Sequence, residues 1–402
     1  MLRAALRDGA SRRFFAAHAQ SCLGSGLALV ALPLIAYDKT GSVWAVTAVL
    51  IPDLLPAILF GPLLGALVDR AGWRSCAIAA DLLRLAGFAL VVFAHSLPAL
   101  MIAATLAGTG AALFQPAALA GVTQLSSSRA RPAALGLFGA LDDLGLTVGP
   151  ALAAGLLALS GPTILLGANA ASFAVSAVLL AGLPGRRRTD DSIERSSLLT
   201  DLRVGLRLLG GRADVRLLLA SSTAAVMFAG VTNIGEVILA RDVLGAGGSG
   251  LAALVAAHGV GTVLGSMAAR FEQAFQWRRA YVAGLACMAV DLLLCAISPS
   301  LWLLLPVFVL GGFGNGFALV HDRLLLGAAV PDALHGRVFA LQKALTSLSF
   351  AASFIGASVL ISVGGVQTTF ALAAAGMLVV IALSSPRLLS AWPAPTANPV
   401  PA

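Results

Sequence analysis

Apolar runs of about 20 residues, the length a helix needs to cross a bilayer, follow one another along this chain with only short polar breaks. They can be drawn near 14–37, 43–68, 75–95, 98–124, 133–159 and 162–183, and again near 215–240, 248–269, 280–298, 301–328, 338–363 and 366–386. In lipid every backbone polar group must be satisfied inside its own segment, so the runs are predicted to be helices. The fold expected is all-α and integral to the membrane, with twelve spans. Composition agrees, since only 11% of the 402 residues are charged, against about 25% in soluble domains.

The net charge of +8 does not point to nucleic acid, because the arginines sit in short loops between apolar runs, where they set orientation. If Arg3, Arg7, Arg12 and Arg13 are cytoplasmic, the same side collects Arg70, Arg74, Arg129, Arg131, the arginines of 186–216, Arg270, Arg278, Arg279 and Arg337; the other side keeps Lys39 and Arg241. Both termini are therefore expected in the cytoplasm. The first run is long and lacks a small-residue cleavage site, so it is expected to be retained. Arginine far outnumbers lysine, which suggests the coding bias of a GC-rich bacterium and hence an inner (plasma) membrane. Cys22, Cys76, Cys287 and Cys295 lie within or beside apolar runs without a C-x-x-C spacing, so they read as packing residues, with no disulfide and no metal site.

Between the second and third runs lies GPLLGALVDRAGWR, from Gly61 to Arg74. Glycines 61 and 65 permit close helix approach, Gly72 permits a tight reversal, and Asp69, Arg70 and Arg74 mark the exit from the bilayer. The pattern Gly65-x3-Asp69-Arg70-x-Gly72-x-Arg74 resembles the signature loop of the major facilitator superfamily of transporters. That resemblance implies two six-helix halves with a substrate site where they meet. It also implies that Asp81 and Arg84, one turn apart in the third run and near its cytoplasmic end, extend the loop network as a gate.

Gly265-x3-Ala269-Arg270 follows Gly65-x3-Asp69-Arg70 at close to half the chain length, and suggests an internal repeat without the acidic residue. The domains expected are 1–184, a cytoplasmic linker 185–213, and 214–402. Within the linker, Leu198, Leu199, Leu202, Leu206 and Leu209 recur at helical spacing with Arg203 and Arg207 between them, which predicts an amphipathic helix on the membrane surface.

The fifth run contains Gly136-x8-Gly145-x3-Gly149-Pro150-x2-Ala153-Ala154. It resembles the glycine-proline motif of the superfamily's antiporters, with alanines at the last two positions. Gln20 with Gly24, YDKTGS at Tyr37 to Ser42, FQPA at Phe114 to Ala117 and HGRVFA at His335 to Ala340 resemble the drug and siderophore exporter branch. The arginine that proton-coupled members carry in the middle of the fourth helix is absent from TLAGTGAALF.

Charged residues at mid-membrane are costly and usually have a task. Asp53 falls about 15 Å into the second span by helical rise and is flanked by Pro52 and Pro56. It reads either as a proton- or substrate-binding carboxylate or as a hydrogen-bond partner of a loosened helix. Asp142 and Asp143 point about 100° apart in the fifth span, so one is expected to face the cavity and the other a neighbouring helix. Glu236, near Asn233 in the seventh span, and Gln20 are further cavity candidates. His258, Asp291 and the His321, Asp322, Arg323 group are expected to have structural partners, with the last group also able to act as a second latch.

No hydrolase, metalloprotease or nucleotide-binding motif is present, so the chain is not expected to be an enzyme or to need a cofactor. The reading that results is a secondary transporter, monomeric, taking a small-molecule substrate within a lipid bilayer and exporting it as a hydrophobic or amphipathic solute in exchange for protons. Uptake or facilitated transport, and a transport-dead scaffold or sensor, stay open.

Overall fold

A computed structural model of the chain describes residues 8–93, 96–127, 130–184, 212–269, 276–297, 300–330 and 334–390. Arg3, Arg7, Arg129, Arg270 and the amphipathic helix expected at 198–209 lie outside these residues, as do the side chains of Asp143, Pro150 and Arg337. Everything regular among the described residues is helical. The first six helices are α1 (Gly9–Thr40), α2 (Val43–Ala71), α3 (Trp73–Phe93), α4 (Leu97–Leu125), α5 (Arg131–Ser160) and α6 (Pro162–Ala181). Next come α7 (Ala213–Val243), α8 (Gly247–Ala268), α9 (Trp277–Ile297) and α10 (Leu301–Ala329). A continuous helical stretch, His335–Ser390, is broken at Gly365, whose φ of 79° and ψ of 167° are not helical; it divides into α11 (335–364) and α12 (366–390).

By length and composition, ten of the described helical stretches can cross a membrane, the last of them 50 residues long. The break at Gly365 makes two spans of that one, and α5, 30 residues long with Asp142 and Asp143 inside it, is the remaining one. The twelve helices expected are present. α7 is the irregular one. It is regular from Ala213 to Ala229, restarts at Thr232 and ends in a π-helical turn, Leu239–Val243.

The repeat is written into the backbone. Helix starts in the second set follow their counterparts at one constant interval: Gly9 and Ala213, Val43 and Gly247, Trp73 and Trp277, Leu97 and Leu301, Arg131 and His335. Left-handed glycines recur at the same interval. Gly41 and Gly245 have φ of 62° and 57°, and Gly161 and Gly365 have φ of 76° and 79°, conformations that glycine alone reaches without a steric cost. The pairing of Gly65 with Gly265 is therefore one helical turn out of register; the structure aligns Gly61 with Gly265 and Gly65 with Ala269.

The helices divide into two compact units, Met1–Ile193 with Gly245–Ala256, and Glu194–Leu244 with Ala257–Ala402. In the first unit α1 packs on α5 and α6, α3 on α4 and α6, and α2 on α4. In the second, α9 packs on α10, and α7 on the α11–α12 stretch. Lipid gives no hydrophobic drive between helices, so close contact depends on small residues. Ala17, Ala77, Ala80, Ala117 and Ala118 are fully buried in the first unit, beside the large side chains of Phe14, Trp73 and Phe114.

Candidate functional site

The glycines of the fifth-helix motif mark where α5 meets α1. A Cβ added to Gly145 would lie 2.5 Å from the Cβ of Cys22, and one added to Gly149 would lie 2.5 Å from the Cα of Gly26. The second unit repeats this contact at the repeat interval, where Gly230 of α7 meets Ser353 of α11. By contrast, no described atom comes within 4 Å of a Cβ placed on Gly61, Gly65 or Gly136. On α2 it is the backbone of Asp53 that presses against Gly108 of α4.

Gly72 does supply the reversal, with a φ of 88° between α2 and α3. Arg74, just inside α3, donates from Nη1 to the Leu183 carbonyl oxygen at 2.5 Å, which ties the start of α3 to the end of α6. Asp69 and Arg70 are exposed. Asp81 and Arg84, which the sequence places near the end of the third helix, occupy its middle, since α3 runs from Trp73 to Phe93. They are buried, at 0% and 6% exposure.

Arg84 is the centre of a charged cluster in the first unit. Its Nη2 donates to Asp81 Oδ1 at 2.7 Å, and its Nη1 reaches Ser21 Oγ on α1 at 3.5 Å. The guanidinium lies over two aromatic faces, 4.5 Å from the centroid of Phe114 and 4.4 Å from that of Phe173. Such stacking suits a weakly hydrated cation in an apolar surround. Besides Asp81, the carboxylates whose charge acts on Arg84 are Asp53 and Asp142. Gly110 makes the space, because a Cβ there would lie 2.6 Å from Arg84 Cγ and from the Ala80 carbonyl oxygen. The fourth helix lacks its own arginine, and the one from α3 lies against it at that glycine.

Asp142 joins the cluster from α5. Its Oδ1 accepts from the Cys22 thiol at 3.3 Å and lies 3.3 Å from His18 Nε2. His18 is buried and stacked on Phe138, with centroids 4.1 Å apart and planes 6° from parallel. Among the described residues, His18, Cys22 and Asp142 are the one group whose ligating atoms lie within 4.8 Å of one another. With Arg84 acting on both Cys22 and Asp142, they form a hydrogen-bonded chain beside a fixed positive charge, a poor cage for a cation. Gln20 faces elsewhere in the same unit and donates to the Ser172 carbonyl oxygen on α6 at 2.5 Å.

Asp53 itself is exposed while its backbone is packed, so its carboxylate can be reached. In the second unit the matching place, against Gly312 of α10, is taken by His258. Glu236 is half-buried, and its charge neighbour is Asp291 of α9. A Cβ at Gly311 would collide with the Asp291 carboxylate, so a glycine again makes room for a buried charge.

At the position equivalent to the Arg84 cluster, the second unit holds a cavity of about 300 Å³. Ser222, Met288, Ala318 and Gln342, all lining it, are the repeat counterparts of His18, Arg84, Phe114 and Phe138. Side chains that fill the first unit are replaced by smaller or more flexible ones, and a hollow is left. The polar groups of the cavity, Tyr281, Asn315, Asp322 and Lys343, fall where the first unit has Ala77, Ala111, Ala118 and Gly139. From the sequence Asp322 is expected to have a structural partner or to belong to a second latch; nothing local in the sequence marks a hollow.

The model for the Major Facilitator Superfamily matches residues 14–318. The multidrug efflux pump Tap of Mycolicibacterium fortuitum is 26% identical over 91% of this chain and 93% of its own length. An uncharacterized MFS-type transporter of Bacillus subtilis, YfiS, is 26% identical over 87% of this chain and 86% of its own. Uncharacterized MFS-type transporters of Mycobacterium tuberculosis are 36% identical over 143 residues, about a third of their length. Among solved structures, the nucleoside transporter NupG superposes with a TM-score of 0.77 at 12% identity, covering 95% of this chain and all of its own. A bacterial homolog of the human lysosomal transporter Spinster superposes at 0.71 and 14%, covering 94% and 96%. At such identities the likeness shows the fold.

Proposed function

This chain belongs to the Major Facilitator Superfamily, and on that premise we propose that it is a proton-coupled antiporter exporting a hydrophobic or amphipathic small molecule. The observation that carries the reading is the buried guanidinium of Arg84, paired with Asp81 and acted on by the charges of Asp53 and Asp142. Protonating Asp53 or Asp142 removes a negative charge that Arg84 balances; losing the proton restores it. If one protonation state favours one access state of the protein, the proton gradient drives the other half of the cycle. Export as the direction is supported by the likeness to Tap and by the antiporter-type glycines, Gly145 and Gly149, seated on α1.

The cycle is that of a monomer in a bacterial inner membrane, with six-helix halves 1–184 and 214–402 rocking about the bound solute. Both termini are cytoplasmic in this reading, and Asp69, Arg70 and Arg74 act on the cytoplasmic side as the gate. Asp81 serves as the fixed partner of Arg84. Glu236, half-buried beside the buried Asp291, is a second acidic place for the solute.

The test uses the full chain in proteoliposomes with ethidium as the probe and an imposed pH gradient. Wild type is expected to concentrate ethidium against its own gradient. Asp53→Asn is expected to lose that accumulation while still letting ethidium equilibrate. Uphill transport at the wild-type rate by Asp53→Asn, or ethidium movement indifferent to the pH gradient, would overturn the reading.

A further inference from the structure

The cavity of the second unit has an unusual charge arrangement. Asp322, 5% exposed, lines it. Its Oδ2 accepts from the Gln342 side-chain amide, while Oδ1 is buried with no hydrogen-bond partner among the described residues. Arg323 and Lys343 line the same cavity and are exposed. Among the described residues no ion pair joins either cation to Asp322. A buried carboxylate oxygen without a donor is costly, which makes it a place where a ligand's donor is favoured.

Between the charges the wall is apolar, formed by Leu285, Met288, Leu319 and Phe339. Tyr281 adds a hydroxyl, held 3.1 Å from Ser221 Oγ. A volume of about 300 Å³ is at the small end of ligand pockets. We propose that this cavity is a binding site, contained within the second unit, for a small amphipathic zwitterion. Its ammonium group meets the Asp322 carboxylate, its anionic group meets Arg323 and Lys343, and its apolar body lies against Met288 and Phe339.

The charge pattern selects this class over the alternatives. A simple cation satisfies Asp322 but meets two positive side chains; a simple anion satisfies those but leaves Asp322 Oδ1 unpaired. The first unit offers no equivalent site, because Arg84 and Phe114 stand where Met288 and Ala318 leave space. The inference is separate from proton coupling, since binding is measured at equilibrium in the absence of any gradient.

The experiment is calorimetry on the full-length protein in detergent with three matched probes: phenylalanine, phenylalanine amide as the cation, and N-acetylphenylalanine as the anion. Phenylalanine is expected to bind more tightly than either. Asp322→Asn is expected to weaken it by about tenfold or more, the loss typical of a charged hydrogen bond. Arg323→Gln with Lys343→Gln is expected to remove its advantage over the amide. Ala318→Phe, which restores the side chain of the first unit, is expected to abolish binding of all three. If no probe binds, if the amide binds best to wild type, or if Asp322→Asn binds phenylalanine unchanged, the zwitterion site is wrong. Unchanged thermal unfolding of Asp322→Asn confirms that a loss reflects binding and not misfolding.

Discussion

The two repeats of this chain share a backbone to within single glycines, yet they use the same interior space in opposite ways. In the first, the space is filled: Arg84 lies over Phe114 and Phe173, His18 stacks on Phe138, and Asp81 is sealed beside them. In the second, Met288, Ala318, Ser222 and Gln342 leave a cavity, and the polar groups stand on positions that are alanine or glycine in the first. Repeats related by duplication need not share roles. Helix packing rests on small residues common to both, which leaves the remaining interior positions free to carry charge in one copy and space in the other.

The sharpest way to break this comparison is to give one repeat the residues of the other. Arg84→Met installs the side chain found at 288 and strands Asp81 in the interior. Removing one partner of a buried ion pair costs about 3 to 5 kcal/mol, so thermal unfolding in detergent is expected to drop sharply. Asp81→Leu added to Arg84→Met copies the pair at 285 and 288 and is expected to recover most of the loss. A single variant as stable as wild type would mean the pair is not the keystone of the first unit.

A smaller effect separates the two glycine contacts. Gly149 faces Gly26, whereas its counterpart Ser353 already carries a side chain against Gly230. Gly149→Ser copies the second repeat into the tighter contact and is expected to cost about 1 to 3 kcal/mol by overpacking, whereas Ser353→Gly is expected to cost less. Equal effects in an unfolding measurement would show that the two contacts are equally tight. Smallest of all is Ala318→Phe, which fills existing space; its stability is expected to stay closer to wild type than that of Gly149→Ser, again by thermal unfolding.

Much of the fold is legible in the sequence because bilayer thickness and backbone hydrogen bonding leave few choices for a chain of apolar runs. The glycine motif of α5 is legible too, and Gly145 and Gly149 do carry a close contact. The repeat is visible but misregistered, since a slip of one helical turn keeps nearly the same helix face; Gly41 with Gly245 and Gly161 with Gly365 carry the true interval. The depth of Asp81 and Arg84 is misjudged from their nearness to a charged loop, although α3 begins at once after Gly72. The cavity is not legible, because it arises from side chains that are small relative to their counterparts in the first repeat, and no single residue announces it.

In the proposed mechanism the charges around Arg84 carry the coupling. In α5, Asp142 reaches that cluster through His18 and Cys22. The direct measurement is ethidium flux in proteoliposomes, uphill under a pH gradient and downhill without one, for Asp142→Asn and Asp143→Asn side by side. Asp142→Asn is expected to lose uphill flux while keeping downhill flux, and Asp143→Asn is expected to keep both. Uphill flux at the wild-type rate in Asp142→Asn would contradict the proposed mechanism.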